Sequence, residues 1–272
     1  MDVMTDTRTS PLQNRVTPTG EIISHPARGM LMGNRGCIHN PERTLGVTRW
    51  RTRMWISCVL YWRGRRRDVM PPGRWTALFF LDEVTALSAG HRPCGYCRRA
   101  DHLWFAESWR AAGGMAARPR AAELDVWLHA ERVDRRTRSK VTRPAAAGDL
   151  PDGAMVRHDG ASALLCEGAL LPWSFDGYGA PAPVSPRTRV ELLTPPSIVA
   201  VLAAGYRPLV HPSAGTPPSF RQFPSASLAR LDHQVYGVGF ELLEQGVLDE
   251  VRERGIAAPH PAPLPLHGRL PE

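Results

Sequence analysis

The sequence predicts an α+β fold, with a first unit of strands and short helices and a small β-rich second unit. Over residues 50–62, apolar side chains alternate with arginines and other polar residues, a period typical of a strand with one apolar face. Asp82 and Gly90 bracket a short stretch and are the residue types of a helix cap and a helix stop. Further on, Glu167-Gly168 separates two apolar runs, which indicates a hairpin.

The first unit is predicted over residues 27–112. The preceding segment, 1–26, is polar and rich in Pro and Thr without periodicity, a composition typical of disorder. Arg63-Gly64-Arg65 is predicted as a hairpin turn, with a return strand near 67–70. The remaining elements predicted in this unit are a strand at 75–80, a helix at 83–89, a Cys-x-x-Cys turn and a helix at 101–112.

The second half of the chain divides into a connection, a small β-rich unit and a tail. The connection, 113–148, begins with a helix over 121–136 and continues as a basic, then Ala-rich linker. The tail, 215–272, is rich in Pro. The β-rich unit, 149–214, is predicted to contain strands at 162–166, 169–175 and 189–193 and a helix that ends at Gly205, and the tail an amphipathic helix at 236–254.

Composition limits the classes of function. The 272 residues carry a formal net charge of +8, and every basic residue except Lys140 is an arginine. An excess of positive charge favours anionic partners such as DNA or RNA. No apolar run approaches the ~20 residues of a membrane helix, so no membrane partner is expected. Five cysteines without a framework spacing predict a reducing, cytoplasmic environment. Oligomeric state stays open.

The sharpest motif is Cys94-Gly95-Tyr96-Cys97, which we call the knuckle and which directly follows the predicted helix stop. Two thiolates three residues apart on a tight turn can bind one metal ion, and zinc is the usual partner of such a pair. The alternative is a redox pair, but a thioredoxin-like site requires the two cysteines to open a helix. Cys166 lies in an apolar run without a partner pattern and is predicted to be a core residue.

A near-repeat of the residues before this motif occurs later in the chain. Residues 202–208 resemble residues 87–93, but the second copy is not followed by a cysteine pair. Glycine at the helix end and proline soon after it are common features of a helix C-terminus. Both copies are therefore predicted to be helix stops, and the second has no predicted metal role.

Residues 79–99 resemble the zinc domain at the N-terminus of the Ada alkylation-repair protein. That family has a strand ending in phenylalanine, a short helix, and then a Gly-aromatic-Arg-Pro-Cys-x-x-Cys-Arg run, with His91 in the aromatic place here. Residues 32–39 resemble the opening of a related module attached to some bacterial nucleases. The resemblance implies a zinc-stabilised module, but Arg43 stands where the family has a cysteine, so methyl transfer is not expected. The implied zinc ligands are Cys58, Cys94, Cys97 and His39, with Cys37 as the alternative to His39.

A second group of candidate functional residues consists of arginines in and beside the predicted strand and hairpin. Guanidinium groups match the geometry of phosphate oxygens. The predicted function is therefore a zinc-binding protein that contacts nucleic acid, against the alternative that these side chains only solvate an exposed strand. Two further alternatives are an interaction module with purely structural zinc and a nucleic-acid repair or processing enzyme. The candidate nucleic-acid contacts are Arg49, Arg51, Arg53, Arg65, Arg66 and Arg67, together with Arg98 and Arg99 after the knuckle. In the enzyme alternative, the candidate acid–base groups are Asp152, His158, Asp159, Asp176 and His211.

Overall fold

The structure is a computed structural model that describes residues 11–63, 65–66, 69–134 and 136–223. Helices and several sheets are both present, which confirms the α+β class. The helices are α1 Glu83–Ser88, α2 Arg99–Ala112, α3 Ala121–Arg132 and α4 Pro196–Ala203. The strands are β1 Gln13–Val16, β2 Ile22–Ser24, β3 Leu31–Asn34, β4 Ile56–Val59, β5 Tyr61–Trp62, β6 Arg65–Arg66, β7 Leu78–Phe80, β8 Arg92–Pro93, β9 Arg143–Ala146, β10 Met155–His158, β11 Ala161–Cys166, β12 Ala169–Ser174, β13 Gly177–Tyr178, β14 Ala182–Pro183, β15 Arg189–Leu192, β16 Leu209–Val210 and β17 Arg221–Gln222.

The first sheet is mixed and has the strand order β2-β1-β7-β3-β4-β8. Its β1–β7 and β4–β8 pairs are parallel, and the other pairs are antiparallel. The prediction of disorder over 1–26 is wrong for the β1–β2 hairpin, because Val16 and Ile22 are buried in the core of this sheet. Residues 1–10 lie outside the described residues. Backbone pairing and these two buried side chains give order to a segment whose composition is typical of disorder.

The strand predicted over 50–62 is shorter than the alternation suggests. It begins at Ile56, and the residues before it form a loop. The backbone N–H groups of Arg51 and Thr52 donate to the carbonyl of Arg35 instead of to a strand partner. Strand β6 pairs with β5, with Trp62 opposite Arg65, so a hairpin occurs where the sequence predicts one. Of the return strand predicted near 67–70, residues 69 and 70 form a bend, and residues 67 and 68 lie outside the described residues.

Helix α1 has the ends that the sequence predicts and joins the two halves of the molecule. The Asp82 carboxylate accepts from the Thr85 backbone N–H at 2.8 Å, and Gly90 after the helix has φ +85°. All six residues of the helix are buried. From the second half, the Tyr178 hydroxyl donates to Asp82 at 2.8 Å and the Trp173 indole donates to the Thr85 hydroxyl at 3.0 Å. The two halves therefore share one interface around α1.

The second sheet is antiparallel, with the order β13-β12-β11-β10-β15-β9 and with β14 beside β12. Strand β9 lies in the segment predicted to be a linker, so that prediction is wrong for residues 143–146. The strand contains Pro144, which an edge strand tolerates because one side of its backbone needs no partner. The predicted helix 236–254 lies outside the described residues. Among the helices that are described, none has the length and apolar character needed to cross a bilayer.

Candidate metal centre

Three cysteines from separate parts of the sequence meet in the core of the first unit. The Sγ atoms of Cys58, Cys94 and Cys97 all lie within 4.8 Å of one another. All three side chains are buried, and none of them forms a disulfide. No other group of three or more His, Cys, Asp or Glu ligand atoms this close occurs in the described part of the chain. The arrangement can hold a metal ion.

The backbone explains why these cysteines meet. Strand β8 runs parallel to β4, with Pro93 opposite Ser57 in register. The next backbone N–H, that of Cys94, donates to the Ser57 carbonyl at 2.9 Å. The knuckle therefore begins beside Cys58 and turns immediately into α2, so Cys97 comes back to the same point.

The thiol cluster is polarised toward one sulfur. Hydrogen bonds from Cys58 and then from Cys97 hold the pKa of the Cys94 thiol far below its ordinary value, and the Tyr96 backbone N–H also donates to this sulfur at 3.4 Å. The pKa of Cys58 is raised well above its ordinary value, chiefly by its hydrogen bond to Cys94 and then by that to Cys97, with burial adding to the shift. The first negative charge of the cluster thus belongs to Cys94. A bound cation would supply the charge needed to ionise the other thiols.

The structure does not bring His39 to the three cysteines. Its Nδ1 lies 2.6 Å from the Thr76 hydroxyl and its Nε2 lies 3.3 Å from the Pro71 carbonyl, so both ring nitrogens already have partners. The alternative, Cys37, lies outside the cluster, with its thiol 3.9 Å from the His39 carbonyl. Cys166 is buried among apolar side chains of the second unit, as predicted.

His102 is a neighbour of the knuckle that the sequence reasoning missed. A Cβ at Gly95 would lie 3.2 Å from Cδ2 of the His102 ring, which places the ring against the turn between the two cysteines. Its Nδ1 is buried and has no hydrogen-bond partner in the described part of the chain. Burial, with Arg92 adding to it, lowers the pKa of His102 to about 4, so the ring is neutral at pH 7. The signal available in the sequence was the position of His102, in the first turn of the helix after the knuckle.

Arg98, which follows the knuckle, is not available to a phosphate group. Its side chain is buried and its guanidinium lies 2.7 Å from carboxylate oxygens of both Glu83 and Asp101. Arg221 also binds Asp101, at 2.7 Å. The prediction that Arg98 belongs to a phosphate-binding face is wrong, because its charge is used to join α1 to α2.

Three of the other predicted arginine contacts lie on one loop, residues 49–53, which we call the arginine loop. Arg51 and Arg53 are exposed, and Arg49 is half-buried. None of the three forms a salt bridge with a carboxylate of the described residues. Arg65 and Arg66 lie in β6, where only the backbone is described, and Arg67 lies outside the described residues. The structure thus places three of the six predicted contacts on one segment, 49–53.

The acidic residues considered for catalysis in the second unit support turns. Asp152 accepts from the Glu167 backbone N–H at 2.8 Å and from the Ser219 hydroxyl at 2.7 Å. Asp159 has φ +48° in the turn between β10 and β11. No protein-family model, curated protein or solved structure matches this chain. Its function therefore has to be inferred from its own residues, and the resemblance to Ada stays a prediction.

Proposed function

We propose that the protein binds one structural zinc ion through Cys58, Cys94 and Cys97 and contacts nucleic acid through its arginine loop. The observation that carries the proposal is the meeting of three buried, free thiols within 4.8 Å. Tetrahedral zinc with Zn–S bonds of about 2.3 Å separates its sulfur ligands by about 3.8 Å, so small shifts would complete the geometry. Thiolates are also the ligands that favour zinc over magnesium or calcium.

The ion has a structural role in this proposal because the cluster is enclosed. The three cysteines are packed with apolar residues, including Met32 and Ile56 of the first sheet and Met70 from outside it. A zinc ion there would cross-link β4 to the knuckle and therefore to the start of α2. Buried zinc bound to protein ligands contributes directly to folding.

We propose His102 as the fourth ligand in place of His39. Support comes from its ring against the knuckle and from its buried Nδ1, which lacks a partner in the described residues. His102 is not one of the residues whose ligand atoms lie within 4.8 Å of one another, so its ring would have to move toward the sulfurs on binding. His39 would instead have to give up its bond to Thr76.

Nucleic-acid contact is the second part of the proposal. Exposed guanidinium groups at Arg51 and Arg53, without carboxylate partners among the described residues, are suited to phosphate oxygens. A surface of this kind positions a strand without reading its bases, so weak sequence selectivity is expected. Cytoplasmic location is part of the same proposal, because the three thiols must stay reduced to bind zinc.

Replacement of zinc by cobalt tests the metal site and its fourth ligand together. The expected result is one cobalt ion per chain, with the strong thiolate charge-transfer and ligand-field absorption of a tetrahedral site. Substitution His102→Ala should weaken metal binding and change the ligand-field bands, whereas His39→Ala should leave the bands unchanged. The reverse outcome would restore His39, and a protein without the tetrahedral spectrum would contradict the proposed centre.

Nucleic-acid contact is tested separately by a salt titration. Binding of short duplex and single-stranded oligonucleotides should weaken steeply with salt. Metal binding together with no detectable oligonucleotide binding at low salt would favour the alternative of an interaction module with structural zinc.

A further inference from the structure

A second site lies beside Ala89, at the C-terminal end of α1, where the two halves of the molecule meet. It is an open cavity of about 720 Å³. It is lined by the β1–β2 turn, the arginine loop, the end of α3, the segment around Lys140, and side chains of β10 and β15 in the second sheet. We call it the cationic cavity because its lining contains six basic side chains against two carboxylates, those of Glu21 and Glu191. The six are Arg35, Arg49, Arg132, Arg138, Lys140 and Arg157.

Two of these cations are buried without a carboxylate. Arg35 is 2% exposed and Arg132 is 1% exposed, and both guanidinium groups lie 4.0 Å from the ring of Trp55. Their hydrogen bonds go to neutral acceptors: Arg35 donates to the Gly20 carbonyl at 2.9 Å, and Arg132 donates to the Gly90 carbonyl at 2.7 Å. Within the described residues, Nη2 of Arg35 and Nε of Arg132 are buried and have no partner. Two neighbouring charges are therefore only partly satisfied by the protein.

Two nearby carboxylates, those of Glu191 and Asp125, are already bound by other groups. Glu191 is held by Arg157 at 2.8 Å and accepts from the Thr142 hydroxyl at 2.6 Å. Asp125, on the same helix as Arg132, is bound by both ends of the Arg92 guanidinium at 2.8 Å. A buried charge without an opposite charge destabilises the folded protein, and binding of an anion would relieve that destabilisation.

Titration of the cavity groups reflects the same crowding. Burial, and then the neighbouring Arg49, lowers the pKa of Arg35 to about 9. Burial lowers the pKa of Lys140 to about 7, with repulsion from Arg35 and Arg132 and then Arg157 adding to the shift. The Lys140 ammonium donates to the Ser88 carbonyl at 2.6 Å. An anion in the cavity would favour the charged form of both groups.

The size and lining of the cavity narrow the choice of anion. Guanidinium forks bind phosphate oxygens in pairs, whereas a single phosphate would leave most of a 720 Å³ cavity empty. Cavities of about 300–1,000 Å³ suit ligands of nucleotide size. Trp50 is a half-buried member of the lining, and the Arg138 guanidinium lies 4.9 Å from the centroid of its ring. A base could stack there if Arg138 moved from the ring toward the phosphate.

We propose that the cationic cavity binds a nucleotide through its terminal phosphate, either as a free mononucleotide or as the phosphorylated end of a strand. The phosphate would lie among Arg35, Arg132 and Lys140, and the base would lie toward Trp50. This site is separate from the thiol cluster. It is also separable from strand binding by the arginine loop, because a free mononucleotide needs neither Arg51 nor Arg53.

Calorimetric titration of the full chain tests the proposal, with AMP, adenosine and inorganic phosphate as probes at one ionic strength. We expect AMP to bind, inorganic phosphate to bind about tenfold more weakly and adenosine not to bind detectably. Substitutions Lys140→Met and Arg138→Gln should each weaken AMP binding by about tenfold. Arg187→Gln, which removes an exposed arginine outside the cavity lining, should leave it unchanged. If Lys140→Met does not fold, the exposed Arg138 carries the test.

Oligonucleotides identify the source of the nucleotide. A 5′-phosphorylated single strand that binds more tightly than AMP and than its 5′-hydroxyl form would indicate a strand end, and tighter binding of AMP would indicate a free nucleotide. Both results support the proposal. Equal binding of adenosine and AMP, phosphate as tight as AMP, or equal loss in the Arg187→Gln control would overturn it. The double substitution Arg51→Ala and Arg53→Ala should reduce binding of the 5′-hydroxyl strand and leave binding of AMP unchanged. This result separates failure of the cavity from failure of the loop.

Discussion

The thiol cluster and the cationic cavity each contain several groups of one kind, but they differ in how much charge repulsion remains when no ligand is bound. The cluster of Cys58, Cys94 and Cys97 can keep protons on Cys58 and Cys97, whose pKa values are raised, so without a metal it carries only the negative charge of Cys94. Guanidinium groups such as Arg35 and Arg132 give up their protons with difficulty, so the cavity keeps its repulsion. A metal ion should therefore stabilise the fold by cross-linking the thiol cluster, whereas an anion should stabilise it by reducing charge repulsion in the cavity.

Removal of one thiol should have the largest effect. We expect Cys94→Ser to lose zinc and to lower the free energy of unfolding by more than about 4 kcal/mol, because the cross-link between β4 and the knuckle is lost. Denaturant unfolding with parallel metal analysis checks this. Cys166→Ser is the matched control, since Cys166 is also buried but lies outside the cluster. A metal-free Cys94→Ser variant as stable as this control would remove the structural role of the ion.

A distortion of the cavity without loss of charge should have the next largest effect. In Gly90→Ala the new Cβ would meet Cδ of Arg132 at 2.5 Å and would also require an L-residue at φ +85°. We expect a loss of about 3 kcal/mol of unfolding free energy from strain and overpacking together. Gly205→Ala has φ +96° and open space, so it should cost about 1 kcal/mol in the same denaturant unfolding experiment. Equal losses of unfolding free energy in the two variants would mean that the contact between the new Cβ and Arg132 does not contribute to the destabilisation.

Replacement of a cationic side chain of the cavity by a neutral one should raise the free energy of unfolding instead of lowering it. We expect Lys140→Met to raise the free energy of unfolding by about 1 kcal/mol at pH 6, since it removes charge repulsion. In the unfolded chain the pKa of lysine is about 10.4, and in the folded chain that of Lys140 is about 7. Between these values the unfolded chain holds the proton that the folded chain has released, so wild-type stability rises with pH.

The gap between wild type and Lys140→Met should accordingly be widest below pH 7 and should close toward pH 10. Chemical unfolding over this range measures it. The pKa of His91 is lowered well below its ordinary value by burial first and then by Arg35, so His91 does not titrate in this window. A gap that stays constant with pH would show that Lys140 keeps its proton throughout.

The smallest effect on stability should come from the arginine loop. Arg51 and Arg53 are exposed, so their replacement by alanine should change the free energy of unfolding by less than about 0.5 kcal/mol. Each lost phosphate contact should flatten the slope of log affinity against log salt by about 0.7 to 0.9. Identical slopes for the wild type and the double variant would contradict the proposed contact.

Local patterns allowed much of the thiol cluster to be predicted. Cys94 and Cys97 share one turn, and Asp82 and Gly90 have the cap and stop geometry that their residue types predict. The fourth position was not predictable in the same way. His39 is a residue type that binds zinc, but in the fold its ring nitrogens contact Thr76 and Pro71. Both partners are more than 30 positions away in the chain, so a local pattern could not reveal them.

The cavity could not be predicted because its groups come from separate segments. Arg35 follows β3, Arg132 ends α3, and Lys140 precedes β9, so no spacing joins them. Arg35 and Arg132 are two of many arginines in the sequence, and no motif joins them to Lys140, the one lysine. The same reasoning explains the arginine loop: alternation predicted a strand there, whereas the carbonyl of Arg35 takes the N–H groups that a strand would have used.

The zinc content of protein purified without added metal tests the central claim most directly. Native mass spectrometry should find one zinc ion per chain in the wild type and in Cys166→Ser, and none in Cys94→Ser or Cys97→Ser. A wild-type chain without stoichiometric metal, or zinc retained in both knuckle variants, would contradict the proposed centre.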